Sequence, residues 1–155
     1  MRALANVDGS VVKAEIELAA SPERVFQALT DGGELAAWWG ADDMYRTTEW
    51  VVDLRPGGKW STRAIGVDGS ESTVGGEYLE VDPPRRLVYT WRPSWDNFEE
   101  TTVRYELVPT ALGTRLLVTH TGFADRATQA EGTGDGWKRV LDWFGDYVAA
   151  NPVRR

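Results

Sequence analysis

The chain contains no cysteine and only one histidine. The first absence removes disulfides, thiolate nucleophiles and thiolate zinc sites, and the second leaves too few imidazoles for a structural metal site. Neither a metal nor another cofactor is expected. No apolar run approaches the length of a membrane span, and the opening Met1-Arg2-Ala3-Leu4-Ala5-Asn6-Val7-Asp8-Gly9-Ser10 lacks the continuous apolar core of a secretory signal. A cytoplasmic protein without membrane contact is the expectation. Positive charge is also scarce. Asp and Glu number 24 against 17 Lys and Arg, for a net charge of −7, and the pairs Arg85-Arg86 and Arg154-Arg155 are too short to offset it. Nucleic acid is therefore not an expected partner.

What is present suits one globular domain. The 155 residues are 42% apolar and 26% charged, with no composition break, so a single domain over 1–155 with a core at about 11–150 is the reading. Val12, Ala14, Ile16 and Leu18 alternate with Lys13, Glu15 and Glu17, the period of a half-buried strand. Ser21 then caps a short helix with Pro22 at its first position and Val25, Phe26 and Leu29 on one face. Gly32-Gly33 breaks it, and Glu34 to Trp39 form a second brief helix that stops at Gly40.

From Thr48 to about Phe123, apolar alternation is punctuated by turns at Arg55 to Gly58, Val67 to Ser70, Asp82 to Arg85 and Pro109 to Gly113. These predict an antiparallel meander. Trp137, Val140, Leu141, Phe144 and Val148 then fall on one helical stripe, and Gly132, Gly134 and Gly136 favour a helix start near Thr133 or Asp135. The order β-α-α-β(5 or 6)-α is an α+β plan, with six or seven strands in a curved sheet and a long C-terminal helix over its apolar face. A curved sheet and a straight helix fit imperfectly, which leaves room for a cavity between them.

Five ordered stretches, "AWWG", "DLRPGGKW", "YLEVDPPRRLVYTW", "GTRLLVTHTGF" and "GWKRVLDWFGDYVA", together resemble the START-like superfamily, also called SRPBCC or birch-pollen-allergen-like. Within it they resemble the branch named after the C-terminal domain of the activator of heat-shock protein 90 ATPase. The resemblance spans about residues 11–150 and implies a helix-grip fold with a hydrophobic cavity between sheet and helix. It does not imply one activity, because the superfamily includes lipid carriers, hormone receptors, polyketide cyclases and antibiotic self-resistance proteins. The sequence holds no counterpart of the separate N-terminal domain through which the eukaryotic activator contacts its chaperone, so chaperone contact is not expected. "EGTGDGW" is looser than the family's continuous last helix and implies a more mobile cavity entrance.

The candidate ligand-binding residues are Trp38, Trp39, Trp60, Tyr78, Tyr89, Trp91, His120, Trp137, Leu141 and Phe144. Trp60 and Trp91 share strand phases that point to the concave face, where plain core packing is the leading explanation and a pocket wall the functional one. Trp38 and Trp39 point about 100° apart on a helix, so one is expected to anchor the core and the other to line the opening. His120 shares the phase of Leu116 and Val118 and projects towards the helix, where an imidazole can orient a ligand, move a proton or simply be satisfied by a neighbour. Tyr105 and Arg63 are further polar candidates. No catalytic residue is assigned. "LRPGGKW" lacks the spacing of a P-loop, "GTGDG" follows no strand, and one histidine without a nucleophile elbow makes no catalytic triad.

The best reading is binding of a small apolar or aromatic molecule in an internal cavity, without chemistry. A polyketide cyclase or aromatase using His120 or a tyrosine is one alternative. Sequestration is another, since "WWG", "YRTTEW", "GGKW", "THTGF" and "GWKRVL" are also similar to enediyne self-resistance proteins. A chaperone-interaction module built on an exposed patch near Trp39 or Trp95 is the third, and a homodimer is left open.

Overall fold

The apolar alternation in the sequence becomes one sheet. The computed structural model describes residues 2–152, so Arg154-Arg155 lie outside the described residues. Its strands are β1 (Leu4–Asp8), β2 (Val11–Leu18), β3 (Gly40–Ala41), β4 (Tyr45–Val52) and β5 (Lys59–Gly66), followed by β6 (Glu71–Asp82), β7 (Arg86–Pro93), β8 (Thr101–Pro109) and β9 (Thr114–Thr121). Helices α1 (Pro22–Thr30) and α2 (Gly32–Trp38) follow β2, a single 3-10 turn covers Ser94–Asp96, and α3 (Ala127–Ala150) ends the described chain. All neighbouring strands are antiparallel, in the order β1-β2-β9-β8-β7-β6-β5-β4-β3. This is an α+β helix-grip arrangement.

Nine strands replace the six or seven expected, and the two additions are β1 and β3. Both give weak sequence signals for physical reasons. In β1 only Ala5 and Val7 face the core, and both are partly buried, whereas Leu4 points outward. β3 is only two residues long.

Both short helices begin at side-chain caps. The Ser21 hydroxyl accepts from the Arg24 amide at 3.2 Å, with Pro22 at the first helical position. Asp31 then ends α1 in an extended conformation and caps α2, its carboxylate accepting from the Glu34 amide at 3.0 Å. The break therefore falls at Asp31, and Gly32-Gly33 open the second helix instead of separating it from the first. A buried ion pair fastens the two helices. Arg24 Nη2 lies 2.6 Å from Glu34 Oε1, Tyr147 donates to the same oxygen at 2.7 Å, and Arg24 Nε donates to the Asn151 carbonyl at 3.0 Å. The end of α3 is thus tied to α1 and α2.

α3 begins at Ala127, earlier than the expected Thr133 or Asp135. Glycine does weaken an isolated helix, but here close packing offsets the cost. A Cβ at Gly134 would lie 2.8 Å from Val7 Cγ2, and one at Gly145 would lie 2.7 Å from Ile16 Cδ1, so these glycines let the helix approach β1 and β2. "EGTGDGW" is accordingly part of a continuous helix rather than a loose lead-in. Trp137, Val140, Leu141, Phe144 and Val148 are all buried, as their stripe requires.

Candidate functional site

The site begins with an irregularity in β4. Glu49 has φ of +54°, and the pairing with β5 shifts between Thr48 and Val51, so one extra residue interrupts the alternation. Thr47 and Trp50, an odd number of positions apart, consequently both reach the concave side. Trp50 Nε1 donates to Thr47 Oγ1 at 3.0 Å, and the same hydroxyl donates to the Trp39 carbonyl at 2.7 Å. The bulge fastens the end of α2 to the sheet.

Trp39 leaves the helical conformation as the C-cap of α2. Its ring centroid lies 5.9 Å from Trp50, 6.0 Å from Trp91 and 5.8 Å from Trp137, which brings β4, β7 and α3 together around one indole. Trp38 stacks on Trp39 at 5.1 Å instead of diverging from it as the helical offset predicts, and packs on its core side. It lies 4.6 Å from Phe144 and donates from Nε1 to the Ala28 carbonyl at 2.9 Å, inside the core.

Between α3 and the sheet is a cavity of about 810 Å³. Five of the eight tryptophans line it: Trp39, Trp50, Trp91, Trp95 and Trp137. Its floor includes the buried Thr62, Thr101 and His120, while Met44, Val67 and Trp95 are exposed at its mouth. Gly132 and Gly136 of α3 also belong to the wall, and there the helix presents backbone to the cavity.

His120 is 1% exposed, and both of its ring nitrogens are engaged. The Trp137 indole can only donate, so its 3.0 Å contact makes Nδ1 the acceptor. Nε2 therefore carries the proton and donates to Thr101 Oγ1 at 2.6 Å, and that hydroxyl donates to the Trp91 carbonyl at 3.4 Å. Burial pushes the His120 pKa down to about 3. The ring is a neutral link between α3, β9, β8 and β7, without a free lone pair to take a proton from a substrate.

Of the residues expected from sequence to bind a ligand, Trp39, Trp91, His120 and Trp137 line this cavity together. Trp38, Leu141 and Phe144 lie in the core away from it. Trp60, Tyr78 and Tyr89 instead border a void of about 20 Å³, room for about one water and too small for a ligand. Tyr89 and Tyr105 share a hydrogen bond of 2.7 Å, and burial raises the pKa values of Tyr78, Tyr89 and Tyr105, so all three hydroxyls keep their protons. Arg63 points outward, bridging Glu49 and Glu71 at 3.1 Å each.

Sequence reasoning missed Thr47, Trp50, Thr101 and Arg139, all in the cavity wall. A β-bulge hides the phase of Trp50, and the role of Thr101 depends on its partner across the sheet. Arg139 follows Trp137 by two positions, off the apolar stripe, and nothing in helical spacing marks it.

Among the described residues no group of three or more His, Asp or Glu is placed to hold a metal ion, and no helix is long and apolar enough to cross a membrane. The profile of the family described as Activator of Hsp90 ATPase homolog 1-like protein matches residues 19–149. The chain has no match among curated proteins. It is similar to several solved structures. A Chromobacterium violaceum protein is 28% identical, with a TM-score of 0.79 over 88% of this chain and 96% of its own. The AHSA1 protein of Silicibacter pomeroyi is 25% identical, with a TM-score of 0.79 over 90% of this chain and 98% of its own. An AHSA1-like protein of Aeromonas hydrophila, 24% identical with a TM-score of 0.79 over 94% and 96%, shares the fold.

Proposed function

Because the chain belongs to the family of Activator of Hsp90 ATPase homolog 1-like proteins, we propose that it binds a small aromatic or apolar molecule between the sheet and α3, in the cytoplasm, and performs no chemistry on it. The observation that carries this reading is the cavity of about 810 Å³ with five tryptophans in its wall. That volume falls within the range of about 300–1,000 Å³ typical of small-molecule pockets. Indole faces offer flat, polarisable surface to a conjugated ligand, and apolar burial contributes roughly 25 cal/mol per Å². His120 supports binding over catalysis, since its two nitrogens are occupied by Trp137 and Thr101. Sequestration of a reactive aromatic compound is the same binding event put to a protective use. Neither a chaperone nor a second copy of the chain is needed for it.

N-phenyl-1-naphthylamine, a neutral dye that brightens in apolar surroundings, tests the reading. Saturable one-to-one binding that weakens by about tenfold or more in Trp91→Ala is expected, from the loss of one aromatic wall. Absence of saturable binding, or an affinity unchanged by Trp91→Ala, would overturn it.

A further inference from the structure

One cation stands in the wall of the aromatic cavity. Arg139 is the only Lys or Arg among the described lining residues. Its Nε is buried without a hydrogen-bond partner, and no other buried side-chain nitrogen or oxygen among the described residues is in that position. A guanidinium cannot relieve such a cost by losing its proton. The two other arginines with largely covered side chains are served differently: Arg24 holds Glu34, and Arg126 holds Asp96.

The neighbours of Arg139 are aromatic. Its guanidinium lies 5.9 Å from the centroid of Trp143, and Tyr45 packs edge-on against the same ring at 5.5 Å. The positive charge of Arg139 acts on the Tyr45 hydroxyl. Burial holds that phenol in its protonated form. Tyr45, Trp39 and Arg139 all belong to the cavity wall. None of the wall's carboxylates is paired with Arg139: Asp68 accepts from both the amide and the hydroxyl of Ser70, Asp96 is paired with Arg126, and Glu99 is exposed.

We infer that Arg139, flanked by Tyr45 and Trp39, is the anion-reading group of the cavity, and that the ligand is an aromatic molecule carrying an acidic oxygen such as a carboxylate or an ionised phenol. The inference rests on the binding function proposed above and adds the ligand's charge. A guanidinium offers parallel N–H donors to an oxyanion, and the tryptophans around it keep water from screening the pair. A neutral aromatic would fill the same space and leave the guanidinium charge unanswered.

Two dyes separate the contributions. 8-Anilino-1-naphthalenesulfonate and N-phenyl-1-naphthylamine share one aromatic frame and differ by a sulfonate, which stands in for the acidic oxygen. Arg139→Gln should weaken the sulfonate dye by about tenfold or more, the scale of a charge-assisted hydrogen bond, and change the neutral dye by less than about twofold. Arg139→Lys should restore part of the loss, and Tyr45→Phe should weaken only the sulfonate dye. Equal loss for both dyes in Arg139→Gln, or no loss for the sulfonate dye, overturns the inference. Failure of the neutral dye to bind the unaltered protein would instead overturn the cavity-binding function, so the two failures are distinguishable. If Arg139→Gln does not fold, Tyr45→Phe decides: a sulfonate affinity unchanged from the unaltered protein overturns the inference.

Discussion

The indole N–H of Trp137 donates to Nδ1 of His120 at 3.0 Å, and this fixes the tautomer of the only histidine in the chain. A protonated ring would turn that acceptor into a donor facing a donor. The hydrogen bond and the buried position therefore favour the same neutral state.

Stability should consequently depend on pH through His120. Its folded pKa of about 3 lies below the ordinary value of 6.5, so the unfolded chain binds the extra proton as the pH falls. The contribution is complete above pH 6.5 and is lost as the pH drops towards 3. Urea unfolding of the unaltered protein should lose on the order of 1 kcal/mol per pH unit more than His120→Gln between pH 6 and 4. Parallel slopes would mean that the ring accepts a proton without unfolding.

Trp38 and Trp39 should separate stability from binding. Trp38→Ala removes a core ring and its hydrogen bond to Ala28, and should cost about 3–5 kcal/mol in urea unfolding. Trp39→Ala, which opens the cavity wall, should weaken N-phenyl-1-naphthylamine by about tenfold or more, beyond any change in Trp38→Ala. Equal effects of the two substitutions on dye affinity would refute this division.

Glu34→Gln should be severe despite its small change in shape. It leaves the Arg24 charge buried without its partner, at an expected cost of about 3–5 kcal/mol, whereas Tyr147→Phe removes one hydrogen bond to the carboxylate and should cost about 1–3 kcal/mol. Denaturant midpoints compare the two. A loss in Glu34→Gln no larger than that in Tyr147→Phe would show that the pair is not sealed from water.

Gly132→Ala should stabilise the protein by about 1 kcal/mol through helix propensity, because a Cβ there meets nothing within 4 Å. Gly134→Ala should destabilise it, since that Cβ meets Val7 Cγ2 at 2.8 Å. Thermal or urea unfolding of both variants gives the signs, and matching signs would contradict the packing of α3 on β1.

The parts of the fold visible in the sequence were those with an uninterrupted period. Val12 to Leu18 and the stripe from Trp137 to Val148 each state their buried face in side-chain chemistry alone. β1 is hard to read from sequence although Val7-Asp8-Gly9-Ser10 repeats the tetrapeptide of the Val67 to Ser70 turn. Its weak apolar face concealed the hairpin. Propensity places the start of α3 too late because it counts the cost of Gly134, whereas the offsetting contact with Val7 comes from the far end of the chain.

The site was less legible than the fold for a related reason. Trp39, Trp91, His120 and Trp137 could be proposed from phase, but phase states only which side a residue faces. It does not distinguish Trp91, beside the large cavity, from Trp60, 5.7 Å away and bordering the small void. Trp50 escapes because the bulge at Glu49 resets the count, and Arg139 because an unpaired Nε is a property of space rather than spacing.

The bare backbone at Gly132 and Gly136 has a consequence for how such a scaffold diversifies. On the sheet side the indoles lean on one another, so trimming Trp39 also disturbs Trp38, Trp50 and Trp91. On the helix side a new side chain at Gly132 meets open space, and one at Gly136 meets only the tip of Arg139 at 3.9 Å. The calibre of the pocket can therefore be narrowed carbon by carbon from α3, leaving the seam at Leu141 and Phe144 intact. Fitting a smaller guest requires a change at one codon of α3, without a compensating change elsewhere in the fold.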